Sequence, residues 1–184
     1  PLFLGKDYEV PLPILSKEME KDTAKTKDGN YVLDYMHFSI VMKKSRGLAY
    51  FTAVNIDGRD EVKIKRTADN WKFDPRISRE YQYGEEVYVN NELDRGHLVR
   101  RTDPNWGKNA MKANEDTFHF TNSTPQHKNL NQKTWVELED YIFRNAVLNQ
   151  FKVSVFTGPV FREDDMIYRQ KYQIPAEFWK VVVM

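Results

Sequence analysis

Asp94-Arg95-Gly96-His97, and then Asn131-Gln132-Lys133-Thr134-Trp135 running on to Leu138-Glu139, are the two stretches on which the reading of this chain turns. The second opens the clearest element in the sequence. From Leu130 to about Val147, the residues Leu130, Thr134, Trp135, Leu138, Ile142 and Val147 recur at the spacing of an amphipathic helix. On that helix Asn131 and Glu139 stand eight residues apart. That is a rise of about 12 Å, too far for both to ligate one ion directly. Magnesium dehydrates reluctantly, so one direct ligand plus a carboxylate gripping a hydration water would suit it. Hydrolysis of a phosphodiester needs a proton acceptor, a grip on phosphate and charge stabilisation; histidine, arginine and hard oxygen donors supply these. All three kinds of residue occur in these stretches.

Outward from this centre the elements are mixed. Tyr31 to Met42 and Leu48 to Ile56 are rich in β-branched and aromatic residues and read as strands, closed by the turn signal Asp57-Gly58. Glu61 to Lys65 alternates as a half-buried strand does, and the proline in Phe73-Asp74-Pro75-Arg76-Ile77 makes a loop. Leu98 to Arg101 reads as a short strand, Gly107 to Asn114 as a short helix and Thr117 to Thr121 as a buried strand. Phe151 to Thr157 is a strand ended by Gly158-Pro159, and Phe178 to Met184 another; Pro1 to Ser16, with three prolines, reads as an extended arm. Because strands and helices do not alternate regularly, the class expected is α+β: a central antiparallel sheet flanked by helices.

The 184 residues fit one domain with a sizeable core, 40% of them being hydrophobic. The chain contains no cysteine, which excludes disulfides, thiolate nucleophiles and cysteine-ligated zinc. The formal net charge of +1 excludes little, since a polyanion binder needs only a local basic face. Such clusters are present in Arg59, Lys63, Lys65 and Arg66, and in Arg95, Arg100 and Arg101. No apolar run is long enough to span a membrane. Pro1 to Val10 lacks the pattern of a secretory leader, and there is no initiator Met. We therefore expect a domain excised from a larger protein, with the cytoplasm as the default compartment and the compartment otherwise open.

The motifs resemble those of the DNA/RNA non-specific endonucleases of the ββα-metal fold. Asp94 to His97 stands where that family has its DRGH signature. Asn122-Ser123-Thr124-Pro125-Gln126 resembles its N-x-x-P-Q, and Asn131 to Glu139 its N-x-x-x-W-x-x-L-E. Val54 to Gly58, Thr157 to Val160 and Ile174 to Val181 are also similar, so the resemblance covers most of the chain. It implies a ββα-metal finger, with His97 as general base, Asn131 as direct magnesium ligand and Glu139 holding metal waters. Manganese would substitute for magnesium. Arg95 would contact the scissile phosphate, Asp94 would order the loop, and Arg66, Arg101 and Arg144 would be further phosphate contacts. Phe143 stands where the family often has an arginine; either the register slips to Arg144 or that contact is missing. The family domain usually continues beyond the point where Met184 ends this chain, so we expect one endonuclease domain, 1–184, without that final segment.

The expected reaction is attack on phosphorus by a water that His97 deprotonates, leaving 5′-phosphate ends on DNA or RNA. Bland roles compete for several of these residues. Asn131 could cap the helix, Trp135 is core, and Gly96 gives backbone room for the turn that presents His97. His119 reads as a wall residue and His37 and His127 as hydrogen-bonded or surface residues. A zinc site from His119 and His127 lacks a second pair. The rival functions are a silent nucleic-acid-binding module and a toxin-like interaction module with a protein partner. Intact His97, Asn131 and Glu139 favour the enzyme. A regulatory domain or inhibitor protein is an expected partner, and a homodimer is compatible with the sequence.

Overall fold

The structure is a computed structural model that describes residues 3–5 and 8–184. Within it, α1 (Lys17–Lys21) is capped by the Ser16 hydroxyl, which accepts from the Met19 amide. Three strands follow: β1 (Val32–Tyr35), β2 (Phe38–Lys43) and β3 (Leu48–Asp57). Next come β4 (Leu93–His97), α2 (Ala110–Asp116) and β5 (Ser123–His127). A π-helical turn, Leu130–Trp135, leads into α3 (Val136–Leu148), and then β6 (Lys152–Val160), β7 (Met166–Tyr168), β8 (Tyr172–Ile174) and β9 (Glu177–Val183).

The expected α+β class holds. Five strands form one antiparallel sheet in the order β1-β2-β3-β6-β9. One face buries Leu33, Ile40, Met42, Ile56, Val153 and Val155 against Ile142 and Ala146 of α3. The other buries Val41 and Phe51 beneath Leu12, Leu15 and Met19. Gly58 makes the first packing possible. A side chain there would collide with the Ala146 backbone, so only glycine lets the end of β3 pass so close to α3. Beside the sheet, β4 and β5 pair as a separate ribbon, and the π turn and α3 follow it: a ββα finger.

Several sequence expectations are corrected. Glu61 makes one bridge, to Trp106, but residues 62–70 are irregular and mostly exposed. Their alternation has no neighbouring strand to pair with. The strand expected at Leu98 to Arg101 lies earlier, at Leu93–His97. Leu98 and Val99 are buried as an apolar strand would be, but the Asn122 side chain replaces a strand partner for Val99. Its Oδ1 accepts from the Val99 amide at 2.8 Å and its Nδ2 donates to the Val99 carbonyl at 2.9 Å. For the same reason Thr117 to Thr121 is turn and 3₁₀ structure, and the strand begins at Ser123. β6 does not stop at Gly158-Pro159. Its pairing with β3 ends at Thr157, and onward it has only β9 beside it, where the missing proline donor is tolerated. Of the expected arm, residues 1, 2, 6 and 7 lie outside the described residues, and its end helps cover the sheet.

Candidate active site

The finger positions the site. The DRGH residues occupy β4, with Asp94 opposite Gln126 and His97 opposite Ser123 of β5. Asp94 itself lies within the strand. Its Oδ2 accepts from Asn131 Nδ2 at 3.0 Å and from Gln132 Nε2 at 2.8 Å, which ties the strand bearing His97 to the helical turn bearing Asn131. Asn129, not Asn131, occupies the cap position, so the capping alternative falls away. Because the carboxylate draws the amide nitrogen, the Asn131 carbonyl is directed elsewhere, and Asn131 lines the cleft. The strand geometry also revises Gly96. It sits mid-strand, and a side chain there would strike the buried Gln126 amide; the glycine makes room for that neighbour, not for a turn.

A cleft of about 570 Å³ collects Arg66, Asp69, Asp94, Arg95, His97, Arg101, Asn131 and Glu139, with Trp71 and Arg100 among its other walls. His97 is set against Trp71, ring centroids 4.8 Å apart, and meets Phe118 edge-on at 5.3 Å. Its Nε2 is enclosed and bonds to no protein group. Burial, with Arg66, Arg101 and Arg95 adding to it, pushes the imidazole pKa down to about 3, while Asp69 acts in the opposite sense. The ring keeps some access to cleft water, which softens the burial penalty; it is neutral at pH 7 all the same.

The arginines differ in how they are held. Arg66 grips Asp69 with two bonds, Nε–Oδ1 3.0 Å and Nη2–Oδ2 2.5 Å, and Arg95 pairs with Glu85 at 2.5 Å. Arg101 has no carboxylate partner among the described residues; it donates to the Ile64 carbonyl at 3.3 Å, and burial lowers its pKa. Arg144 is not brought to the cleft: its side chain is 74% exposed and lies 3.5 Å from Asp140. Arg100, one residue before Arg101, lines the cleft instead and pairs with Asp140.

At the other end Glu139 is buried, its Oε1 3.3 Å from Lys180 Nζ of β9. Burial raises its pKa against the pull of Lys180 and Arg100. Trp135 Nε1 stands near enough to favour the charged form slightly without a regular hydrogen bond. Asp103, also buried, is pushed up to about 7 by burial and then by the Glu139 charge. Sequence reasoning missed Asp69, Asp103 and Lys180 as neighbours of the site. Asp69 is three residues from Arg66, a spacing that can be searched for, and Lys180 lies in a segment already seen to resemble the family. Asp103 carries no such signal. The three remaining histidines have structural partners: His119 Nδ1 donates to the Asp116 carbonyl, His37 Nδ1 to the Pro104 carbonyl, and His127 faces Glu92.

Comparison with known proteins agrees with this geometry. The chain is 41% identical to the uncharacterized protein y4fB of Sinorhizobium fredii, over 96% of this chain and 29% of that protein. It is 35% identical to mitochondrial endonuclease G of Homo sapiens over 53% of this chain and 35% of the relative. To the nuclease of Serratia marcescens it is 28% identical, over 61% of this chain and 44% of that one. The chain thus spans less than half the length of each of these relatives. A crystal structure of the EndoG/EndoGI complex superposes with a TM-score of 0.69, covering 83% of this chain and 67% of that one at 20% identity, a likeness of fold. With the family profile matching residues 15–184 over the same sheet, finger and motifs, the chain belongs to the DNA/RNA non-specific endonucleases.

Proposed function

We propose that this protein is a magnesium-dependent nuclease that hydrolyses phosphodiester bonds in DNA and RNA without reading sequence, leaving 5′-phosphate ends. The observation that carries the reading is the Asp94 bridge, which holds a neutral His97 and the Asn131 carbonyl on one arginine-lined cleft.

The donor set fits a hard cation that keeps most of its waters. The Asn131 amide oxygen and the Glu139 carboxylate are hard oxygen donors, and the described residues contain no group of three His, Cys, Asp or Glu able to cage an ion. Asn131 would hold the ion and Glu139 would accept from its hydration waters. Magnesium, or manganese in its place, supplies charge stabilisation at the phosphoryl and departing 3′ oxygens. His97, being neutral, takes the proton from the attacking water. A base with so low a pKa is weak in the free protein. When a phosphate enters, its negative charge offsets Arg66, Arg95 and Arg101, as Asp69 already does in part, and His97 becomes a stronger base when substrate is in place. Arg101 meets phosphate without giving up a carboxylate, whereas Arg66 and Arg95 exchange Asp69 and Glu85 for it. Contacts of this kind give affinity and carry no base information. A protein that covers this cleft would inhibit it, and such an inhibitor is the regulatory partner we propose.

The test is to cleave plasmid and a defined RNA with the purified protein in magnesium and map the ends. Fragments with 5′-phosphates and no preferred sequence support the reading. A single preferred sequence, or 5′-hydroxyl ends, overturns it.

A further inference from the structure

Glu139 accepts hydrogen bonds from hydration waters most strongly as a carboxylate, yet its side chain is 9% exposed. Burial at that level favours the neutral acid. The groups facing it come from three elements. Arg100 and Asp103 belong to the loop after β4, Trp135 to the π turn and Lys180 to β9. Asp103 opposes the charge, and Arg100 is already engaged by Asp140. Lys180 is the cation that touches the carboxylate. Its side chain is 3% exposed, Nζ lies 3.3 Å from Glu139 Oε1 and 5.0 Å over the Trp135 ring, and the register Lys180↔Thr157 anchors it to the central sheet.

We propose that Lys180 is a positioning residue of the nuclease, fixing the Glu139 carboxylate at the cleft through a buried ion pair anchored on the central sheet. This rests on the role given to Glu139 above. Lys180 itself touches neither substrate nor reacting atoms. Removing it leaves the Glu139 carboxylate buried without the partner that fixes it.

The experiment compares K180M, K180R and E139Q with the parent. Plasmid cleavage is titrated with Mn²⁺, Mn²⁺ binding without nucleic acid is followed by electron paramagnetic resonance, and thermal unfolding is recorded. K180M is expected to lose about 10–100-fold in Mn²⁺ affinity or cleavage, the usual effect of removing a group that supports a metal site. K180R should recover most of this. K180M with parental cleavage and Mn²⁺ binding, beside an impaired E139Q, overturns the role of Lys180 alone. A K180M loss that K180R does not relieve marks Lys180 as packing and also overturns it. Parental cleavage by E139Q overturns the underlying role of Glu139, whatever K180M does.

Discussion

At the His97 end of the cleft three arginines converge on a neutral ring, whereas at the Glu139 end one lysine is buried against a carboxylate. Burial acts on both groups and favours the uncharged form of each. Around His97 the three arginines work in the same direction as burial and against Asp69, so the ring stays free of a proton. Around Glu139 the Lys180 and Arg100 charges work against burial, which still raises its pKa. The two ends of one cleft thus add the same kind of desolvation to charges of opposite effect.

The largest effect is expected from removing the acceptor. H97A should lower cleavage by about 10²–10⁴-fold with nucleic-acid binding nearly intact, measured as single-turnover plasmid nicking beside a binding titration. Parental nicking by H97A would break the comparison at its first end. Next is Asn131. N131A should raise the magnesium concentration needed for half-maximal cleavage or abolish cleavage, because it removes the one direct protein ligand we assign. An unchanged magnesium titration would remove that assignment.

The arginines sharpen the comparison. Arg101 is unpaired among the described residues while Arg66 is clamped by Asp69. R101A should therefore weaken binding to all sequences more than R66A does. Each lost phosphate contact should reduce the slope of log affinity against log salt by about 0.7–0.9. Equal losses, or a change in preferred sequence, would count against the cleft as described.

The smallest effects concern stability and run in opposite directions with pH. His97 has a folded pKa of about 3 against 6.5 unfolded, so the unfolded chain takes the proton first and stability falls as pH drops from 6.5. H97Q should lose less stability than the parent between pH 7 and pH 5. Asp103 is the reverse: about 7 folded against 3.8 unfolded, so stability is lost as pH rises from 3.8 to 7. D103N should raise the melting temperature more at pH 8 than at pH 5. Thermal melts across that range check both, and the same pH trend for the two variants would contradict the contrast.

What could be read from the sequence was what depends on short spacing. DRGH, the Asn131 to Glu139 spacing and the amphipathic helix place the finger, and the β-branched runs place the central sheet. Glu61 to Lys65 alternates like a strand yet is irregular after its single bridge, because alternation cannot show whether a partner strand exists. The strand near Leu98 was shifted because the Asn122 amide supplies two bonds that a ladder would otherwise provide. Gly96 was given a turn because its neighbour Gln126 comes from another strand. Lys180 and Asp103 were missed for a related reason: each meets Glu139 across the fold, and no local pattern records such a meeting. The arginines were legible as a cluster, but not which of them carry a carboxylate, and Arg144 fell outside the cleft while Arg100 lines it.

The most direct test of the whole account is cleavage of plasmid DNA by the purified protein, measured in chelator and then with magnesium restored in excess. The account predicts no cleavage in chelator and full recovery with magnesium. Undiminished cleavage in chelator, or none at any magnesium or manganese concentration, would contradict it.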